Sequence, residues 1–262
     1  MTTYIVFSLV ALAAAVINSV AGGGGLLTFP VLALLLPPVI ADATSGFALL
    51  PAYFTATWGS RKELTQVPRW LWWLVVPSLV GGLLGALLLS WSGNRGFVVL
   101  VPWLVLLGTL LLLGRPYLTR RGDAGSSPSH ASPVLLLTAM SAIFVVAIYG
   151  GYFGAGIGIL MIAALGLIGL EDMRQAVALK NALTGGLRTL AIGWLIVESK
   201  VDWEYGLPMA GGAIVGGYIG GKVSSRAPRG VIRGMVLAIG FGVAGYYFWR
   251  LYGLSVMQVA GE

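Results

Sequence analysis

Ala21-Gly22-Gly23-Gly24-Gly25-Leu26-Leu27 lies between two apolar runs, and a glycine-rich counterpart, Gly154-Ala155-Gly156-Ile157-Gly158-Ile159-Leu160, recurs in the second half of the chain. Four consecutive glycines make poor helix, because glycine gives up the most backbone freedom on ordering. In hydrocarbon, a break of that kind is tolerated only where protein or a water-filled cavity satisfies the freed backbone groups. Matching breaks in the two halves of one chain are the sequence pointer to a transporter's binding site.

Composition sets the class around those breaks. Apolar residues make up 58% of the 262 residues and charged residues 10%, with a mean hydropathy of +0.91. A soluble domain carries about a quarter charged residues, so the chain reads as an all-α polytopic membrane protein. The net charge of +7 is then topological and not a nucleic-acid footprint, because Lys and Arg collect in cytoplasmic loops. With no cysteine, disulfides, thiolate metal sites and thiol nucleophiles are excluded. Met1-Thr2-Thr3-Tyr4 lacks the basic region of a signal peptide and runs straight into Ile5, so the first segment is expected to be retained.

About ten apolar segments follow, near 4–20, 26–37, 43–58, 70–91, 96–114, 133–150, 157–169, 173–197, 204–221 and 231–250, against roughly 20 residues for a full span. The second and seventh are short, as expected of half-helices in glycine-broken hairpins. The polar interlude 115–132, with Arg115, Arg120, Arg121, Asp123 and a Gly/Ser/Pro run, reads as a cytoplasmic linker. It divides a first transmembrane repeat (1–114) from a second (133–262). At one offset Gly23 falls on Gly156, Gly25 on Gly158 and Leu27 on Leu160, and further on Pro77, Gly81 and Gly85 match Pro208, Gly212 and Gly216. The latter glycines, with Gly217, Gly220 and Gly221, have the spacing of close helix packing within one chain or in a homo-oligomer.

Loop charges orient the repeats. Arg61, Lys62 and Arg69, then Arg115, Arg120 and Arg121, then Lys222, Arg226, Arg229 and Arg233 mark three cytoplasmic loops, whereas Glu198–Glu204 is acidic on balance and goes outside. Loop 59–69 is inside and its partner 198–204 outside, so the two repeats of about five segments each are inverted. Both chain ends fall outside a bacterial inner membrane. Trp70, Trp72, Trp73, Trp91, Trp203 and Trp249 have the placement of an interfacial belt.

Polar groups inside apolar spans cost several kcal/mol unless used or paired. The eighth segment carries Lys180, Asn181, Thr184 and Arg188, and the i, i+4, i+8 spacing of Lys180, Thr184 and Arg188 puts these three on one helix face. Arg188 lies too deep to snorkel, and no carboxylate lies in that helix interior. Asp42, at the start of the equivalent helix of the first half, is the one candidate for an ion pair or for coupling. A guanidinium fork suits oxyanions, and helix N-termini freed by the breaks favour anions. Asn18, Thr44 and Ser45, together with the glycines at 22–25, 154, 156 and 158, complete the candidate site.

These residues resemble the TauE/SafE family. The run Asn18-Ser19-Val20-Ala21-Gly22-Gly23-Gly24-Gly25-Leu26-Leu27-Thr28 followed by Pro37-Pro38-Val39-Ile40-Ala41-Asp42-Ala43-Thr44-Ser45 is similar to its first half. Gly150-Gly151-Tyr152-Phe153-Gly154-Ala155-Gly156-Ile157-Gly158, Ala178-Leu179-Lys180-Asn181 and Asp202-Trp203 are similar to its second. The resemblance implies a transporter exporting sulfite, sulfoacetate or a related organosulfur anion. Two departures stand out: Asp42 where the family has Asn, and Lys180-Asn181 where it commonly has a small pair.

Export also suits the energetics, since an inside-negative potential pushes a unit charge outward with about 2.3 kcal/mol per 100 mV. Lone His130, in the linker, is no metal site, and neither metal nor cofactor is expected. No nucleophile–base set at membrane depth points to an enzyme. The alternatives are a cation or metal-ion transporter using Asp42, or a non-transporting scaffold subunit.

Overall fold

The computed structural model describes residues 2–20, 22–119, 133–170 and 172–223, with scattered positions between 234 and 249. Its elements are helices α1 (Thr2–Val20), α2 (Gly25–Ala33), α3 (Pro38–Gly59), α4 (Arg61–Leu64), a 3-10 turn (Arg69–Leu74), α5 (Val75–Thr119), α6 (Pro133–Tyr152), α7 (Ile157–Leu167), α8 (Met173–Val197) and α9 (Trp203–Val223). Among the described residues there is no strand. The expected tenth segment lies largely outside the described residues; Ala244 and Phe248 within it are helical.

Two boundaries differ from the sequence reading. α3 starts at Pro38 and not near residue 43, because proline at the first helical position has its fixed φ pre-set and lacks only an N–H that would be unpaired there anyway. α5 runs to Thr119, five residues into the stretch read as linker, and leaves helical geometry at Gly93, which divides it into the expected fourth and fifth segments. Residues 120–132 lie outside the described residues.

α2 and α7 have 9 and 11 residues, about 14 and about 17 Å of helix at 1.5 Å per residue, half of a hydrocarbon core of ~30 Å. α3, Arg69–Leu107 and α6 are long and apolar enough to cross a membrane. Large side chains face outward from the bundle, Trp91 at 87% and Val197 at 77% exposure among them.

Several helix pairs of the second half are packed like pairs of the first. α1 packs on α9 and α6 on α5; α3 on α9 and α8 on α5; α2 on α3 and α7 on α8. Each half therefore lays its first helix against a helix of the other half. Glycines make that approach possible: a Cβ on Gly81 or Gly85 would strike Phe144 and Ile148 of α6, and one on Gly212 or Gly216 would strike Ser8 and Leu12 of α1. Gly216→Leu is expected to force α1 off α9, by the one to three kcal/mol or so that overpacking costs. Thermal unfolding in detergent should fall accordingly, while Gly193→Ala, with open space around it, should stay within about 0.5 kcal/mol of wild type.

Opposite ends of the bundle carry different loops. Val67 and Leu71 of the basic turn pack with Leu170 and Ala176 at the start of α8. At the other end, Asn94 Oδ1 accepts from Val39 N at 3.2 Å, and Thr44 Oγ1 accepts from Asp202 N at 2.9 Å. α8 is 25 residues long, about 37 Å, and separates the two. Its first turn is closed by Asp172, whose side chain accepts from the Arg174 and Gln175 amides.

Candidate functional site

The two glycine breaks touch each other, backbone to backbone. Gly22 has φ +86, and a Cβ there would lie 2.5 Å from Gly158 Cα; one on Gly158 would lie 2.5 Å from Gly22 Cα and 3.0 Å from Lys180 Cδ. Gly25 meets Ala155 Cα at 3.0 Å in the same sense, and Gly24 packs on Ala14 and Asn18. Real Cβ atoms do not approach so closely, so the crossing of the halves requires hydrogen at Gly22 and Gly158.

Breaking α1 and α6 leaves carbonyls without acceptor duties inside a bilayer, where each costs free energy unless bonded. α8 supplies a donor at each end, and at the first Gly22 N also donates to Asn18 O, at 3.0 Å. Lys180 Nζ donates to Asn18 O of α1 at 2.9 Å, and Arg188 Nη1 donates to Gly150 O of α6 at 2.8 Å. Cations at helix C-termini also favour the dipole. Gly46 and Gly154 flank the Arg188 guanidinium so closely that a Cβ on either would strike it.

Other polar groups at the crossing make no hydrogen bond within the described protein. Among the described residues the amides of Gly23, Gly24, Gly25, Gly156 and Gly158 have no hydrogen-bond acceptor. Asp42 Oδ2, Asn181 Oδ1 and Thr184 Oγ1 are buried and make no hydrogen bond within the protein. Of the five donors a guanidinium carries, Arg188 uses one bond, to Gly150 O.

Two expected members are engaged by the protein itself. Thr44 holds the Asp202 amide, and Ser45 Oγ lies 2.6 Å from Thr28 Oγ1, tying α3 to α2. The ion pair weighed for Asp42 is not formed: among the described residues no carboxylate lies within ion-pairing distance of Arg188, although Asp42, 2% exposed, feels its field. Two tyrosines join the site. Tyr53 faces Asn18 and lies within the fields of Arg188 and Asp42. Tyr149 OH donates to Ala155 O at 2.8 Å, at the second break. Tyr53 is eleven residues beyond Asp42, three helical turns on, so its place on the same face was there in the spacing. Tyr149 continues into an aromatic cluster with Phe29, Phe97, Tyr152 and Phe153, ring centroids 5.2–6.2 Å apart.

Apolar helices broken at glycine, which converge with buried cations and open hydrogen-bonding groups at mid-bundle, define a membrane transporter. The chain belongs to the Sulfite exporter TauE/SafE family, whose pattern it matches over residues 7–247. It is 28% identical over 231 residues to a probable membrane transporter protein of Haemophilus influenzae, covering 87% of this chain and 88% of that one. It is 27% identical over 255 residues to the probable membrane transporter protein YfcA of Escherichia coli, covering 96% and 92%. A probable membrane transporter protein, ORF9, of a Sinorhizobium species is 24% identical over 236 residues, covering 87% and 85%. No solved structure matches the chain significantly.

Proposed function

We propose that the protein exports a small anion, sulfite or an organosulfonate such as sulfoacetate, across the bacterial inner membrane through a site between two inverted repeats. The observation that carries this reading is Arg188: a guanidinium 3% exposed, held at one nitrogen by a carbonyl and left with donors to spare. A buried cation without a bonded carboxylate is costly until an anion completes it, and the guanidinium fork matches an oxyanion. Asn181, Thr184 and the amides of Gly23, Gly24, Gly25, Gly156 and Gly158 add hydrogen bonds without adding negative charge. Lys180 and Asn18 hold the first break, and Thr44 and Ser45 frame the α3 side.

Inversion is supported by the placement of the basic 59–69 turn and the acidic 198–204 turn, equivalent in the repeats, at opposite ends of α8. The positive-inside rule then puts the 115–132 linker in the cytoplasm and both termini outside. The family name supports sulfite, and the membrane potential supports export. In proteoliposomes with an imposed inside-negative potential, sulfite efflux is expected to rise with the potential and acetate efflux to stay at background. Well-folded protein that moves no sulfur oxyanion would overturn the reading in favour of a cation carrier using Asp42, or of a subunit that needs a partner.

A further inference from the structure

α3 and α9 run parallel and end together. Phe47 and Trp203 meet near one end, ring centroids 5.0 Å apart. At the other end a Cβ on Gly59 would lie 3.5 Å from Gly221 Cα, so backbone faces backbone. Each helix carries a cation over an exposed ring there. The Arg61 guanidinium, just past the end of α3, lies 5.0 Å from the centre of the Trp58 ring, and Lys222 Nζ lies 4.4 Å from that of Tyr218. Trp58 is 67% exposed and Tyr218 46%. We propose that this end of the α3–α9 pair binds an anionic phospholipid, its phosphate headgroup on Arg61 and Lys222 and its chains against Trp58 and Tyr218. The inference does not depend on which solute the protein carries.

The two cation–ring pairs share one side of the bundle. Consecutive residues of an α-helix turn by about 100° in one sense. Two parallel helices therefore present to the same side the residue before a contact on one and the residue after a contact on the other. Trp58 precedes Gly59, and Tyr218 follows Gly217, whose Cβ would lie 2.7 Å from Ala52 Cα of α3. Lys222 is four residues past Tyr218, on the same stripe. Phe54, exposed and one turn before Trp58, continues the apolar surface along the span.

A cation at a helix C-terminus also answers the dipole, and Arg61 Nη1, donating to Trp58 O at 3.3 Å, has that role. The dipole does not account for the rings. α3 is long and apolar enough to cross a membrane, so Trp58 in its last turn falls at the depth of lipid headgroups, where Trp and Tyr are enriched. A guanidinium stacked on a ring uses its flat face and keeps edge donors for phosphate oxygens. Glu63 is the one acid of the adjoining α4; Arg61, Lys62 and Lys222 outnumber it and leave two positive charges over. In the orientation proposed above this end lies at the cytoplasmic leaflet, where basic groups between spans attract anionic headgroups.

The test uses the whole protein in phosphatidylcholine vesicles with brominated phosphatidylglycerol titrated in, since bromine quenches a tryptophan it touches. The readout is the quenching that Trp58→Phe removes from each background. In wild type it is expected to reach half-saturation at a much lower fraction of brominated phosphatidylglycerol than of brominated phosphatidylcholine. Each basic residue near an anionic surface contributes roughly fivefold to binding, so Arg61→Gln with Lys222→Gln should reduce the preference by up to about thirtyfold, to parity with the neutral lipid. Arg69→Gln with Arg174→Gln removes the same charge from the same end, where the basic turn and α8 pack at Leu71 and Ala176, and should keep most of the preference. Equal loss in the two double variants would make the attraction a diffuse property of the surface and overturn the inference. So would a wild type without preference, or a Trp58 that no lipid quenches because a second copy covers it. Quenching relieved by millimolar inorganic phosphate would overturn it too, by making this a site for soluble phosphate.

Discussion

Arg188→Gln is expected to reduce anion efflux by roughly a hundredfold or more, to the background of empty liposomes, while the protein still purifies folded. Glutamine retains an amide donor for Gly150 O, so the C-terminal end of α6 keeps its hydrogen bond. What goes is the charge and the paired donors. Each charge-assisted hydrogen bond contributes about 1.5–3 kcal/mol, and every 1.4 kcal/mol or so is tenfold in binding. Losing two such bonds to the anion therefore accounts for the hundredfold. Arg188→Lys should fall between, since it restores the charge without the planar fork. Because the glutamine variant leaves Asp42 buried without a nearby cation, Arg188→Gln combined with Asp42→Asn is expected to recover thermal stability and still not transport. Stopped-flow efflux beside a melting curve checks both. Wild-type efflux from the single variant would reduce Arg188 to a cap on α6.

Gly22→Val should do the greatest damage to the fold. Its φ of +86 is hostile to a β-branched residue, and the new side chain would enter the backbone of Gly158. Left-handed backbone costs about 1–2 kcal/mol, and overpacking adds typically one to three. A loss of that size, about 2–5 kcal/mol, is a large share of any protein's stability. The expected result is little monodisperse protein by size-exclusion chromatography in detergent, with Gly166→Ala, which meets nothing within 4 Å, indistinguishable from wild type. A Gly22→Val protein that melts with the wild type would mean that the halves do not cross there.

Much of this architecture was legible in particular residues. The four glycines at 22–25 and the spaced glycines at 154, 156 and 158 announced the breaks, because no other residue pattern so disfavours helix between apolar runs. The spacing of Lys180, Thr184 and Arg188 placed them on one face, as helical periodicity requires. What those residues bond to was not legible. A sequence does not say that Gly22 will lie on Gly158, because that contact joins positions far apart in the chain by a crossing whose register only packing sets. Thr44 and Ser45 read as ligand groups because a hydroxyl in an apolar helix advertises unmet hydrogen-bonding capacity. Asp202 and Thr28, which meet it, were invisible as partners. An ion pair of Asp42 with Lys180 or Arg188 was the structural alternative that charge alone offered, yet Arg188 bonds to the Gly150 carbonyl at the break in α6. The sequence carried no term for the carbonyl ends that a broken helix creates.

Those two carbonyl ends have a mechanical consequence. Lys180 grips the end of α1 and Arg188 the end of α6, and both stand on the single uninterrupted rod of α8. A helix of that length is stiff, so a slide or roll that loosens one grip displaces the other by the same motion. Any displacement of α8 would therefore act on the ends of α1 and α6 together.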